Sequence, residues 1–157
     1  MDSEKRNHLM LLSRAMSDKR KSIRPKISIK QLCNSIRKKQ IGDYSNIEHG
    51  KQSFTIDTFL SYLEGIKEIK RIDDKKKFKI LYGYHLEQNR YRRPVEITRN
   101  QIRDRSKLAY SNIWAIETGI SNYKIDSLIK YLIASNIIIE SPELINHIIN
   151  FINTKKL

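Results

Sequence analysis

The chain has 157 residues, 39% hydrophobic and 8% aromatic, which is enough apolar material for one ordinary domain or two small ones and too much for a disordered tail. Its formal net charge of +14 calls for an anionic partner such as nucleic acid, an acidic membrane surface or an acidic protein. One cysteine, Cys33, excludes an internal disulfide, and no apolar run reaches the roughly 18 residues that a membrane span needs.

The charge is unevenly spread. Residues 108–157 hold four bases (Lys124, Lys130, Lys155, Lys156) against four acids (Glu117, Asp126, Glu140, Glu143), so the whole +14 lies in the first 107 residues. One part of the molecule is expected to bind an anion and the other to be close to neutral. The first residues lack the apolar core and cleavage site of an export signal, so a cytoplasmic protein is expected, with Cys33 a packed small side chain. Five glycines and three prolines suit helices joined by short loops.

In chain order, a leading helix is expected over about residues 7–19. Ser28 then opens a second helix with Leu32 and Ile36 inside, residues 42–48 form a third that Gly50 ends, and Ser53 caps a fourth. A connector follows from about Gly65 to Lys77. Another leading helix is expected over about 77–88. Thr98 caps a short helix to about Arg105 with Ile102 inward, and residues 106–109 form a break. A helix over 110–117 places Ile113 and Ile116 inside, and Gly119 stops it. Asn122 is the cap expected for the next helix, with its stripe of Ile125, Leu128, Ile129 and Leu132. Ser141-Pro142-Glu143 starts the last, with Leu144, Ile145, Ile148 and Ile152 inward.

These elements are two copies of one plan. Ile47-Glu48-His49-Gly50 matches Ile116-Glu117-Thr118-Gly119 at an offset of 69, and Ile56-Asp57-Thr58-Phe59-Leu60 matches Ile125-Asp126-Ser127-Leu128-Ile129 at the same offset. Upstream the offset is 70: Ile27-Ser28 matches Ile97-Thr98, and Gln31-Leu32 matches Gln101-Ile102, so one residue is inserted between Leu32 and Tyr44. Register over about 40 residues in apolar, capping and acidic positions identifies a duplication.

Both copies resemble the five-helix DNA-binding domain of the Cro/phage-repressor (XRE-type) family. The residues that carry the resemblance are the Thr/Ser-x-x-Gln-Leu/Ile opening, the apolar pair ending in Ile-Glu-x-Gly, and the Ile-Asp-Ser/Thr-Leu/Phe helix that follows. The resemblance implies an all-α fold of two tandem five-helix helix-turn-helix bundles, over residues 1–70 and 71–157, joined by a helical connector. It implies a sequence-specific regulator of transcription, bacterial or phage in origin, bound to double-stranded DNA over the nucleoid. The chain departs from the family pattern at bulky Arg103 where a small residue is usual, at Ser106 where an apolar one is, and where the turn usually has glycine, at Arg37 or Lys38 in the first copy and at Lys107 in the second. A left-handed lysine there costs about 1 kcal/mol.

Carried over by position, the base-reading residues are Ile41, Gly42, Ser45 and Asn46 in the first copy and Tyr110, Ser111, Trp114 and Ala115 in the second. Asn46 is suited to pair bidentately with adenine. Tyr110 and Trp114 fit thymine methyls, or the centre of a protein contact. Phosphate contacts are expected from Lys30, Lys38, Lys39 and Lys51, and from Arg92, Arg93, Arg99 and Asn100. The four histidines are scattered, with no metal spacing, Gly-rich phosphate loop or nucleophile-base pair. No cofactor, small-molecule ligand or catalysis is expected. A homodimer through the charge-neutral second copy is a further expectation. The alternative is a non-catalytic adaptor of the antitoxin or anti-repressor type, using the second copy for protein contacts.

Overall fold

The computed structural model describes residues 3–35 and 41–157. Among the described residues it is all-helical: α1 (Ser3–Ser22), α2 (Ile29–Ser35), α3 (Ile41–Glu48), α4 (Ile56–Gly65), α5 (Lys75–Tyr91), α6 (Arg99–Ser106), α7 (Tyr110–Thr118), α8 (Ile125–Ala134) and α9 (Glu143–Lys155). None of these helices is long and apolar enough to cross a membrane.

Local chemistry sets most of the boundaries. Thr98 and Gln101 form a reciprocal capping box at the start of α6, and Ser28 and Gln31 make the same two bonds at the start of α2. Gly50 and Gly119 follow α3 and α7 with φ of +68° each, the left-handed stop expected of them. Lys107 closes α6 in that conformation without being glycine, at φ 60° and ψ 21°. Ser106 compensates for the apolar residue it replaces: its hydroxyl donates to the Ile102 carbonyl and accepts from the Leu108 N–H.

The leading helices are longer than the apolar spacing alone indicates, each gaining residues at both ends. The expected helical connector is not a helix. Residues 66–74 form an irregular strap held down by buried Ile66, Ile69 and Ile72. Glu64 on α4 accepts from the Ile72 N–H and pairs with Lys75 at 2.9 Å, which tacks both ends of the strap together.

Two expected caps act elsewhere. The residues preceding α4 and α8 are Thr55 and Lys124, and Thr55 caps its own helix through the Thr58 N–H. Ser53 does not cap α4; its hydroxyl donates to Asp126 in the first turn of α8, at 2.7 Å. Asn122 does not cap α8; its side-chain oxygen accepts from the Asp57 N–H in the first turn of α4, at 3.1 Å. Each helix start thus borrows a partner from the other copy. Ser141 likewise turns away from α9 and donates to the His8 carbonyl of α1, while the Glu143 carboxylate takes the N–H groups of Ile139 and Glu140.

Buried apolar side chains from Leu9 to Ile152 form one continuous cluster across both copies. Its aromatic centre in the second copy is Phe78 and Tyr82 of α5 against Phe151 of α9. Gly83 lets α5 lie directly on the last turn of α7: a Cβ there would sit 2.5 Å from the Glu117 carbonyl oxygen.

Candidate nucleic-acid interface

The site is built on two polar knots that the sequence repeats. In the first copy, Arg20 at the end of α1 donates through Nε to one Glu48 oxygen at 2.7 Å and through Nη2 to the other at 2.9 Å. Its Nη1 donates to the Ile27 carbonyl, and the Tyr62 hydroxyl of α4 donates to the same carboxylate at 2.7 Å. In the second copy Arg90, Ile97, Glu117 and Tyr131 reproduce every one of these bonds. The offsets are the ones the duplication predicts, 70 from Arg20 to Arg90 and 69 from Glu48 to Glu117 and from Tyr62 to Tyr131.

The knot joins the leading helix, the loop before the second helix, the end of α3 or α7, and the middle of α4 or α8. All three side chains are buried in each copy. Burial pushes both carboxyls up, but the hydrogen bonds from arginine and tyrosine outweigh it and hold Glu48 and Glu117 below the ordinary carboxylate range. Bidentate guanidinium–carboxylate pairing is directional, so it fixes the azimuth of the helix that carries the glutamate as well as its position.

That orientation decides which side of α3 and α7 faces out. On α7, Ile113 and Ile116 are fully buried, whereas Tyr110 and Trp114 are 42% and 49% exposed and Ser111 is also exposed. On α3, Tyr44 and Ile47 are buried, and Ser45 and Asn46 are half-buried. The Gly42 backbone lies in the first turn of α3. Tyr110 is not wholly free to read bases. Its hydroxyl donates to Asn100 of α6, and its ring lies under the Arg103 guanidinium at 5.1 Å, so two expected site residues, Tyr110 and Asn100, meet. Bulky Arg103 is accommodated because it points outward over this ring.

The expected phosphate contacts divide into three groups. Lys30, Lys51, Arg92 and Asn100 are exposed. Arg93 is half-buried and donates to Asn89, and Arg99 is committed to the protein, bonding Glu117 at 2.8 Å and Glu87 at 2.9 Å. Lys38 and Lys39 lie outside the described residues. Neither α3 nor α7 carries a lysine or arginine, and α3 has Asp43 in its first turn.

Tyr62-Leu63 matches Tyr131-Leu132 in the repeat, but the sequence by itself assigns no role to these tyrosines and does not pick out Arg20 and Arg90. Their signal was there, since the position of Arg20 recurs at Arg90 with the upstream offset, but it is hidden among 31 basic residues. Among the described residues, no group of three or more His, Cys, Asp or Glu side chains is placed to hold a metal ion. Comparison of the chain with protein-family models, with curated proteins and with solved structures finds no match in any of the three.

Proposed function

We propose that this chain is a sequence-specific double-stranded DNA-binding regulator of transcription, acting in the cytoplasm over the nucleoid. Its two repressor-like helix-turn-helix units, α1–α4 in the first copy and α5–α9 in the second, present α3 and α7 to the major groove. The observation that carries this reading is the matched pair of knots. Each locks one short helix against its neighbours by a buried Arg–Glu–Tyr set and leaves that helix an outward side of Ser45 and Asn46, or of Ser111 and Trp114. A groove-inserted helix needs such rigid support, because base-edge hydrogen bonds tolerate little misplacement. The excess positive charge supplies the sequence-independent part of the affinity. Titrating random-sequence duplex DNA with the protein at low ionic strength tests the reading. Retardation that weakens steeply as salt is added supports it, and no retardation at any protein concentration rules it out.

A protein-binding adaptor is the second reading, favoured by α7 alone. That helix has no basic residue and exposes Tyr110 and Trp114, residue types enriched at the centres of protein contacts. Failure to retard any duplex DNA at low salt favours this reading, and salt-sensitive retardation counts against it; if the second copy instead pairs two chains, Trp114→Ala lowers the mass of the protein in solution.

A further inference from the structure

The contact between the copies has a symmetry that the order of the chain does not impose. The Ile56 N–H donates to the Tyr123 carbonyl at 3.0 Å, and the Ile125 N–H donates to the Phe54 carbonyl at 2.8 Å. Together they form an antiparallel bridge between Thr55 and Lys124. The side-chain bonds from Ser53 to Asp126 and from Asp57 to Asn122 flank it. Shifted by 69 residues, Phe54 becomes Tyr123, Ile56 becomes Ile125, Ser53 becomes Asn122 and Asp57 becomes Asp126. The two backbone bonds of the bridge are therefore exact counterparts, and the flanking residue pairs correspond, with Ser53 donating from its hydroxyl and Asp57 from its backbone N–H. Reciprocity of this kind defines an isologous interface, in which a two-fold axis relates the partners; a head-to-tail repeat brings unlike surfaces together instead.

The bridge lies a short loop after each candidate reading helix. α3 ends at Glu48 and its chain reaches the bridge at Thr55, and α7 ends at Thr118 and reaches it at Lys124. Both helices thus run toward the bridge from their C-terminal ends along the chain. Lys79 of α5 adds a tie across the copies, pairing with Asp57 of α4 at 3.0 Å. Two heads related by a two-fold axis meet duplex DNA in opposite orientations along the groove, and such heads read inverted repeats. The outward residues break this symmetry: Ser45 and Asn46 of the first copy stand where the second has Trp114 and Ala115.

Resting on the reading that the chain binds duplex DNA, we propose that a single chain covers an inverted repeat with two unlike half-sites. One half is read by the Asn46 amide at an adenine, and the other by apolar contact of Trp114 with thymine methyls. Two heads in one chain remove the need for a second copy, and their inequality gives the protein one orientation on its site.

The test is selection of duplexes with a randomised centre from a pool, using the full chain, followed by sedimentation of the complex on the enriched duplex. The expected site has two different half-sequences in inverted orientation, and one chain per duplex. Reversing one half lowers affinity roughly tenfold or more. Asn46→Ala, selected in parallel, loses preference in one half only, and Trp114→Ala in the other. A direct repeat, two identical halves holding two chains, or a single uninterrupted half-site overturns the two-fold reader and leaves DNA binding standing. A pool from which no duplex is retained overturns both.

Discussion

Arg90 and Glu117 face each other as a two-pronged pair, with Nε and Nη2 of the guanidinium on the two oxygens of the carboxylate at 2.9 and 3.2 Å. Both are buried, so removing one leaves the other uncompensated, at a cost of about 3–5 kcal/mol. Glu117→Ala is therefore expected to unfold at much lower denaturant, and Glu48→Ala in the first copy similarly. Chemical denaturation followed by circular dichroism measures both. A Glu117→Ala midpoint within error of the native one would show that the knot carries no structural weight.

The same pair sets an acid limit. The carboxyls of Glu48 and Glu117 lie below their ordinary value of 4.5 in the folded chain. A depressed folded pKa contributes stability that is fully present above the unfolded value and is lost as pH falls through the folded one. Stability should drop below about pH 4.5, and Glu117→Gln should flatten part of that drop.

His147 acts in a different window. Burial, with a smaller push from His85, lowers its imidazole from 6.5 to about 4, and its Nε2 lies 2.8 Å from the Tyr82 hydroxyl. The unfolded chain binds the proton first, so acidification destabilises the fold progressively between pH 6.5 and about 4. His147→Gln is expected to reduce that slope while leaving the steeper fall below pH 4.5. Thermal melts across the range separate the two contributions.

Gly119 and Gly50 share a backbone conformation but not an environment. A Cβ on Gly119 would lie 2.2 Å from the Lys79 carbonyl oxygen, whereas at Gly50 the nearest atom is Cγ of the flexible Met10 side chain, at 3.1 Å. Both alanine variants bear the left-handed cost of about 1–2 kcal/mol. Gly119→Ala must also force α5 off α7 and is expected to melt well below Gly50→Ala. Equal melting temperatures would contradict the close approach of α5 to Gly119.

Cationic residues should separate by what they touch. Lys30 and Lys51 are exposed, so on the DNA-binding reading each alanine variant lowers the slope of log affinity against log salt by about 1 and leaves the melting temperature alone. Arg99 is bonded to Glu117 and Glu87, so Arg99→Ala is expected to lower stability. Fluorescence anisotropy over a salt series, beside thermal melts, reads both.

What could be read in advance was local. Thr98 with Gln101 announces a helix start, Gly119 a stop, and the spacing of Ile113 and Ile116 an inner face, because each depends on residues within a turn or two. Lys107 stands where the family pattern has glycine and still takes the left-handed conformation, which a missing glycine by itself does not foretell. Ser53 and Asn122 were read as caps from the right chemistry, an oxygen just before a helix, but their partners lie 73 and 65 residues away in the other copy. Periodicity carries no information about such partners. The place of Arg99 at the start of the first motif helix implies a phosphate contact; only the fold brings Glu87 and Glu117 to it. The resemblance implies a helical connector, yet Ile66, Ile69 and Ile72 hold it to the core as an irregular strap.

The exchanged helix starts make each copy's junction depend on the other copy. A change at Asn122 is felt at Asp57, and a change at Ser53 at Asp126, so neither half can alter its junction without a matching change in its twin. The outward sides of α3 and α7 carry no such tie. They differ between the copies, with Asn46 opposite Ala115 and Ser45 opposite Trp114, while the residues of the seam stay paired.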